Sequence, residues 1–218
     1  MSAAETLDHR IRPAAGDPDG ALVLLHGRGA DEHDLVPLLD ALDPDRRLIG
    51  VTPGAPLRLP PGGRHWYRLH QIGAPDPATF AAALRLVGPW LDGLPETLGV
   101  PWERVVLGGF SQGAVMTYAL GLGRGRPRPA GLVALSGFIP SAEGFELDLE
   151  ALDGYPVAIG HGTHDGVIGV EWGRLAQMRL RTAGAAVRYH ETEMAHSIDP
   201  AFVRDLRVWL GHVVPPGG

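Results

Sequence analysis

Short apolar segments recur along the chain, and each one ends abruptly at glycine or at residues typical of turns. Within each segment the apolar character is continuous rather than alternating, which is typical of strands buried on both faces of a parallel sheet. This pattern predicts six buried strands, at residues 22–25, 48–51, 105–107, 132–135, 157–159 and 187–189.

The intervals between these segments carry helical periodicity. Asp76 followed by Pro77 predicts the start of a helix, with the aspartate as N-cap and the proline in the first turn. Apolar residues at 80, 84, 87 and 91 then share one face, and Pro89 is expected to kink or end this helix. Similar spacing predicts three further helices, one over Gln112–Leu122, one around Trp172, Leu175, Ala176 and Ala183, and one around Ile198, Phe202, Leu206, Trp209 and Val213.

Strand and helix alternate from residue 20 onward, which predicts an α/β fold with an open, mostly parallel sheet and helices on both faces. The chain contains no internal repeat and no domain linker, so residues 1–218 are predicted to form one domain. Residues 1–20 are expected to be an N-terminal extension or an edge strand, 53–63 a long loop, and 215–218 a frayed tail. The predicted elements after residue 105 follow one another too closely to leave room for a large cap domain.

Composition and charge narrow the function classes. Cysteine is absent from the 218 residues, which excludes disulfides, thiolate metal sites and a cysteine nucleophile. A formal net charge of −6 argues against nucleic-acid binding. The N-terminal segment lacks the apolar stretch of a signal peptide, and no apolar run approaches the ~20 residues of a membrane span. A cytoplasmic protein with a small-molecule ester as partner is therefore expected, with a homodimer left open.

The sequence at residues 109–113 reads Gly-Phe-Ser-Gln-Gly and stands between a predicted strand and a predicted helix. This G-x-S-x-G spacing is typical of a nucleophile elbow, a sharp turn that lifts a serine hydroxyl, here that of Ser111, into a site. Gly109 and Gly113 would make room for such a turn, because neighbouring backbones approach too closely for a β-carbon at these positions. The alternative is a glycine-rich connection whose serine is incidental.

An activated serine needs a base, and the base needs an acid that orients it. In α/β-hydrolases these partners follow in the order Ser, Asp or Glu, His, at the carboxyl ends of strands. Asp165 and His196 meet both conditions, since each follows a predicted strand downstream of Ser111. His161 also lies at a strand end, but it precedes the acid, and His196 is therefore the better candidate for the base.

Acyl transfer also requires backbone N–H donors for the oxyanion of the tetrahedral intermediate. One donor is expected from Gln112, the residue after the nucleophile. The other is expected from Arg28, in the His26-Gly27-Arg28-Gly29 turn that follows the first buried strand. The two glycines of this turn would let its amides point inward.

A broader resemblance rests on five segments in order: LLHGRGADEHDL (24–35), VVLGGFSQGAVMTYAL (105–120), LVALSGFIP (132–140), HGTHDGVI (161–168) and MAHSI (194–198). Together they resemble the carboxylesterase/phospholipase group of α/β-hydrolases, which also contains the acyl-protein thioesterases. The resemblance implies an α/β-hydrolase fold and a serine esterase that uses Ser111, Asp165 and His196, with no metal or organic cofactor. It also places Trp66 and Tyr67 on an aromatic loop that borders the substrate cleft, although the acidic residue customary in that loop is missing here.

Relatives in this group act on small carboxyl esters, lysophospholipids or acyl thioesters. The expected function is a serine carboxylesterase for small or medium-chain esters, with a lysophospholipase or an acyl-thioesterase on the same triad as the alternative. Two further alternatives are a non-catalytic binding protein on a hydrolase fold and a metal enzyme built on His161 and His164 beside Asp165.

Overall fold

A seven-stranded sheet forms the centre of the computed structural model, which describes residues 7–217. Two short antiparallel pairs of strands lie outside this sheet. In chain order the strands of the described residues are β1 (His9–Arg12), β2 (Gly20–Leu25), β3 (Leu48–Pro53), β4 (Leu57–Arg58), β5 (Arg64–His65), β6 (Leu69–Gln71), β7 (Ala74–Pro75), β8 (Val105–Phe110), β9 (Gly131–Leu135), β10 (Pro156–Gly162) and β11 (Ala186–Thr192).

The sheet has the strand order β1-β3-β2-β8-β9-β10-β11. β1 pairs antiparallel with β3, and the remaining neighbours pair in parallel. β1 is thus an edge strand, one of the two alternatives expected for residues 1–20, of which residues 1–6 lie outside the described part of the chain. Because β8 lies between β2 and β9, the loops that follow these three strands meet at one edge of the sheet.

Helices pack on both faces of the sheet. Successive residues of β2 point to opposite faces of the sheet. Val23 points into the core formed with α2, α3 and α4, and Leu24 points into the core formed with α1 and α5. Strands enclosed in this way are buried on both faces, which accounts for their continuous apolar segments. Within residues 7–217 the α-helices are α1 (Val36–Leu42), α2 (Pro77–Leu98), α3 (Gln112–Leu122), α4 (Val170–Thr182) and α5 (Pro200–Val213), and one 3-10 turn spans Trp102–Arg104.

The predicted α/β fold is confirmed, and all six predicted strands coincide with strands of the sheet. Asp76 is the N-cap of α2, as its sequence context predicts. Of the two effects predicted for Pro89, a kink or an end of the helix, the end is wrong, because the helix continues to Leu98. Its buried face, which includes Phe80 and Leu91, offsets the loss of the backbone hydrogen bond that a proline cannot donate.

The region between β3 and α2 differs most from the sequence prediction. Residues 53–63 are predicted as a loop, whereas the structure has the short strand β4 within them; β4 pairs with β5 directly after this range, and the pair β6–β7 follows. The short helix α1 is missed altogether, because its seven residues are too few to show periodicity and its N-cap makes no side-chain hydrogen bond. The described residues contain no large cap domain, so the carboxyl edge of the sheet is not enclosed by one.

Two residues of the C-terminal tail, Pro215 and Gly217, form hydrogen bonds to other parts of the chain. The amide of Gly217 donates to Asp19 Oδ1 at 2.7 Å, and the carbonyl of Pro215 accepts from the guanidinium of Arg104. Gly218, the last residue of the predicted frayed tail, lies outside the described residues. No helix within residues 7–217 has the length and apolar character needed to cross a membrane.

Candidate active site

Ser111 occupies a strained turn between β8 and α3. Its φ of 57° and ψ of −119° lie in a region that non-glycine residues rarely adopt. The turn is held on both sides, because the Ser111 amide donates to the carbonyl of Leu135 at 2.8 Å and its carbonyl accepts from Ala114 at 3.0 Å. The surrounding structure therefore fixes the serine at the carboxyl end of a central strand.

The two flanking glycines are required by close backbone contacts. A β-carbon on Gly109 would lie 2.5 Å from the carbonyl carbon of Gly113 and 2.8 Å from the carbonyl oxygen of Leu25. A β-carbon on Gly113 would overlap that same Leu25 oxygen. Real β-carbons do not approach backbone atoms so closely, and the turn can form only with glycine at both positions.

His196 and Asp165 form a hydrogen-bonded chain with this serine. His196 Nε2 lies 2.9 Å from Ser111 Oγ, and His196 Nδ1 lies 2.6 Å from Asp165 Oδ2. Asp165 follows β10 and His196 follows β11, so the sheet brings together residues that are 85 positions apart in the sequence. The side chain of Asp165 is fully buried, whereas that of His196 retains 18% exposure. The hydrogen-bonded chain thus runs from a buried carboxylate to a partly accessible imidazole.

Hydrogen bonds from the backbone orient the carboxylate of Asp165. Its Oδ1 accepts from the amides of Val167 at 2.9 Å and Ile168 at 2.8 Å, which leaves Oδ2 directed at His196. A carboxylate can only accept, so His196 Nδ1 carries the proton and Nε2 is the acceptor for the Ser111 hydroxyl. This is the tautomer that a general base requires.

His161, the alternative base, is placed against the acid loop instead of the serine. It is buried, and its Nε2 donates to the carbonyl of Ile168 at 2.8 Å and lies 3.5 Å from Asp165 Oδ2. His164 is exposed in the same loop. Within residues 7–217, no group of three or more His, Cys, Asp and Glu side chains is arranged to hold a metal ion.

The loop after β2 borders the elbow. Leu25 of β2 pairs with Gly109 of β8, and a β-carbon on Gly27 would lie 3.4 Å from Ser111 Cβ. Arg28 follows directly, on the exposed side of this loop. Neither the Arg28 amide nor the Gln112 amide has an acceptor among the residues that the structure describes. Within residues 7–217, both N–H groups are therefore without a backbone or side-chain partner.

The fold agrees with the comparison to known families. Residues 8–213 match the family model described as phospholipase/carboxylesterase. The chain belongs to this family.

Two kinds of hydrolase are similar to this chain. Acyl-protein thioesterase 1 of Mycosarcoma maydis is 30% identical, with 99% of each chain covered, and acyl-protein thioesterase 1 of Candida albicans is 26% identical, with 94% of this chain and 96% of its own covered. Among solved structures, the carboxylesterase of Bacillus cereus superimposes with a TM-score of 0.82 over 96% of this chain and 95% of its own, at 22% identity. The protein is thus a member of a hydrolase family with esterase and thioesterase relatives.

Trp66 and Tyr67 do not line a cleft in this member of the family. Both side chains are fully buried, which corrects the expectation drawn from the aromatic loop. The side chain of Gln112 holds this segment on both sides, since its Oε1 accepts from the Trp66 amide at 2.9 Å and its Nε2 donates to the Tyr67 carbonyl at 2.8 Å. The pair therefore packs beneath the site and is anchored to the elbow.

Trp66 also connects the elbow to the loop that carries Arg28. Its indole N–H donates to the carbonyl of His26 at 2.8 Å. The imidazole of His26 is buried, with Nδ1 donating to the Gly27 carbonyl at 2.7 Å and Nε2 accepting from the Ala55 amide at 3.0 Å. Burial lowers the pKa of His26, because desolvation disfavours the imidazolium, and the neutral ring suits this pair of bonds. Sequence spacing carried no signal for this network.

Proposed function

We propose that the protein is a serine carboxylesterase that cleaves small and medium-chain carboxyl esters through an acyl-enzyme. The observation that carries this proposal is the hydrogen-bonded chain from Asp165 through His196 to Ser111, set on a strained elbow in a member of a hydrolase family. A binding protein on the same fold would have no need for three such side chains in this geometry or for a strained serine.

In the first step, His196 Nε2 takes the proton of Ser111 as its Oγ attacks the ester carbonyl carbon. The carbonyl oxygen becomes an oxyanion that accepts hydrogen bonds from the amides of Arg28 and Gln112. When the tetrahedral intermediate collapses, the ester C–O bond breaks and His196 gives the proton to the departing alcohol. The acyl group remains on Ser111.

In the second step, water repeats this sequence on the acyl-enzyme. His196 takes a proton from water, the hydroxide attacks the acyl carbon, and the bond to Ser111 Oγ breaks as the proton returns to the serine. Asp165 holds the imidazole in its tautomer and stabilises the imidazolium that forms twice in each cycle. The products are the carboxylic acid and the alcohol.

The absence of a large cap from the described residues supports short and medium acyl chains. Each buried methylene contributes ~0.8 kcal/mol, so an open site gives no further gain once a chain extends beyond it. The acyl-protein thioesterase relatives, one of them 30% identical along the whole chain, favour an acyl-thioesterase as the second candidate. A lysophospholipase on the same triad is the remaining variant of this activity.

The test of the chemistry is the Ser111→Ala variant, measured with p-nitrophenyl butyrate. We expect it to fold normally and to lose at least ~10³ in kcat. Ser141→Ala, at an exposed serine, is the matched control and should keep wild-type activity. An organophosphate should label one serine in wild type and Ser141→Ala, and none in Ser111→Ala. A Ser111→Ala variant with a tenth of wild-type kcat contradicts the assignment.

The test of the substrate is an acyl series of p-nitrophenyl esters from acetyl to palmitoyl, run beside a lysophospholipid and an acyl thioester. We expect kcat/KM to reach its maximum at short or medium chains. A value that climbs through palmitoyl, or a thioester cleaved faster than its oxygen ester, would move the assignment to lipid or acyl-thioester substrates.

A further inference from the structure

An open groove of about 610 Å³ lies between α1 and α5 and reaches the proposed triad at His196. We call it the α1–α5 groove, and define it by Leu38 and Ala41 on α1, Val203 on α5, and Phe110 and His196 at its inner end. Apolar side chains make up most of its lining. No step of the proposed mechanism uses it.

The inner end of the groove lies beside the reacting atoms. The ring of Phe110 packs against the imidazole of His196, with ring centres 4.8 Å apart, and Phe110 directly precedes Ser111. Ser111 itself does not line the groove. The groove therefore meets the triad from the side of the base and not from the side of the nucleophile.

The groove also carries positive charge. Arg204 and Arg207 line it from one face of α5, and both are exposed. Arg207 Nε donates to the carbonyl of Ala41 at 2.6 Å, which holds its guanidinium across the groove toward α1. Neither arginine forms an ion pair within residues 7–217, and Asp34 is the single carboxylate of the lining. The groove thus has two cationic side chains and one carboxylate, although the protein as a whole has a formal net charge of −6.

The chemistry of the proposed mechanism indicates which part of an ester would occupy this groove. His196 Nε2 must protonate the leaving oxygen, so that oxygen has to lie within hydrogen-bond reach of the imidazole. The alcohol portion extends from the same oxygen. A groove that begins at His196 is therefore placed for the alcohol, while the acyl group stays beside Ser111 and the oxyanion donors.

We propose that the α1–α5 groove binds the alcohol portion of the substrate, and that the preferred alcohol is an apolar chain with an anionic end. The apolar lining accommodates the chain, and Arg204 and Arg207 attract the anion. This inference rests on the proposed esterase function, and it names the class of alcohol that the reaction releases.

Three butyrate esters test the proposal, those of ethanol, n-octanol and 8-hydroxyoctanoic acid. All three form the same butyryl-enzyme, so their deacylation step is identical and differences in kcat/KM report binding and acylation. We expect kcat/KM to rise from the ethyl to the octyl ester, and again to the ester that ends in a carboxylate.

Two variants locate the effect in the groove. Arg204→Glu, at an exposed position, should lower kcat/KM for the carboxylate ester by about tenfold, since it replaces an attraction with a repulsion at the surface. It should lower kcat/KM for the ethyl ester less than for the carboxylate ester, because ethanol carries no anion. Leu38→Trp narrows the groove and should lower kcat/KM for both eight-carbon esters. The control is Arg179→Glu on α4, which changes the net charge equally outside the groove and should affect no ester selectively.

The outcomes separate this proposal from the esterase function. If wild type cleaves all three esters with equal kcat/KM, or if Arg204→Glu lowers the ethyl ester as much as the charged one, the groove is not the alcohol site. If Leu38→Trp instead alters an acyl series of ethyl esters, the groove holds the acyl chain and the proposal is wrong. If wild type cleaves none of these esters and no p-nitrophenyl ester, the proposed function itself fails and the groove proposal fails with it.

Discussion

The elbow at residues 108–114 and the α1–α5 groove meet at His196 and are built in opposite ways. In the elbow, the backbone of α3 touches that of β2, Ser111 holds a positive φ, and Gln112 uses both ends of its amide. In the groove, most side chains are exposed or half-exposed, and Arg204 and Arg207 form no ion pair within the described residues. Many contacts fix the conformation of the elbow, which we therefore call over-determined, whereas few contacts fix the side chains of the groove.

This difference separates two requirements of an enzyme. Reacting atoms must be held in place by packing and hydrogen bonds, since small displacements reduce the rate for every substrate. A surface that selects among substrates needs shape and charge but few internal bonds. We therefore expect substitutions in the elbow to affect all esters alike, and substitutions in the groove to change selectivity.

The largest effect is expected from Gly113→Ala. The new methyl group would overlap the carbonyl oxygen of Leu25, so α3 or β2 must move. We expect the free energy of unfolding to fall by ~3 kcal/mol or more and esterase activity to disappear. Thermal unfolding and p-nitrophenyl butyrate hydrolysis measure the two effects.

Gly211→Ala is the matched control for this substitution. A β-carbon on Gly211 meets no atom within 4 Å, and the residue lies inside α5. We expect this variant to be stabilised by up to ~1 kcal/mol, because alanine has the higher helix propensity. Equal behaviour of the two variants would show that the elbow tolerates a side chain at position 113.

Asp165→Asn should have the next largest effect and leave the fold intact. The single oxygen of an asparagine side chain cannot accept from the Val167 and Ile168 amides and from His196 Nδ1 at the same time. The proton of the imidazole is then no longer held on Nδ1. We expect kcat to fall by ~10³ to 10⁴ with little change in KM. Asp153→Asn, at an exposed aspartate before the same strand, should behave as wild type. Wild-type kcat in Asp165→Asn would exclude this carboxylate from the mechanism.

Position 28 distinguishes a backbone role from a side-chain role. Arg28→Ala keeps the amide and should keep most activity, whereas Arg28→Pro removes the N–H and should lower kcat by ~10² or more. Circular dichroism checks that the proline variant is folded. If the alanine variant loses as much activity as the proline variant, the guanidinium binds substrate and the amide is not the donor.

The sequence was most informative at positions where only one type of residue fits the local geometry. The elbow glycines, the strands buried on both faces and the loop positions of Asp165 and His196 all follow from local patterns that the topology of a parallel sheet then brings together. The elements missed were short or irregular. The two-turn helix α1 shows too little periodicity. An end of α2 at Pro89, one of the two effects predicted there, did not occur, because the long buried face of the helix outweighs one lost hydrogen bond.

Other parts of the site depend on contacts that no local pattern encodes. The α1–α5 groove joins helices that begin at Val36 and Pro200, and nothing in the spacing of either segment indicates that they meet. Nor does the spacing of residues indicate where the side chain of Trp66 points. An aromatic residue in an irregular segment has no periodicity to show whether it points into the core or toward a cleft, and the expectation of a cleft residue was wrong.

Trp66→Phe is expected to have the smallest effect of these substitutions in the elbow region, and it tests how far the over-determined region extends. The change keeps an aromatic ring but removes the N–H that donates to His26, which leaves a buried carbonyl without its partner. The loop with Arg28 would then be held less firmly relative to Gln112. We expect kcat to fall about tenfold with KM nearly unchanged, since the oxyanion forms only after substrate is bound.

Trp102→Phe is the matched control, because the indole N–H of Trp102 is buried and has no hydrogen-bond partner within residues 7–217. This variant should lose stability through the smaller ring yet keep kcat within about twofold. Kinetics at a temperature where both variants are fully folded separate the two effects. If Trp66→Phe loses stability but keeps wild-type kcat, Trp66 is a core residue only, and the fixed region around the nucleophile ends at the side chain of Gln112.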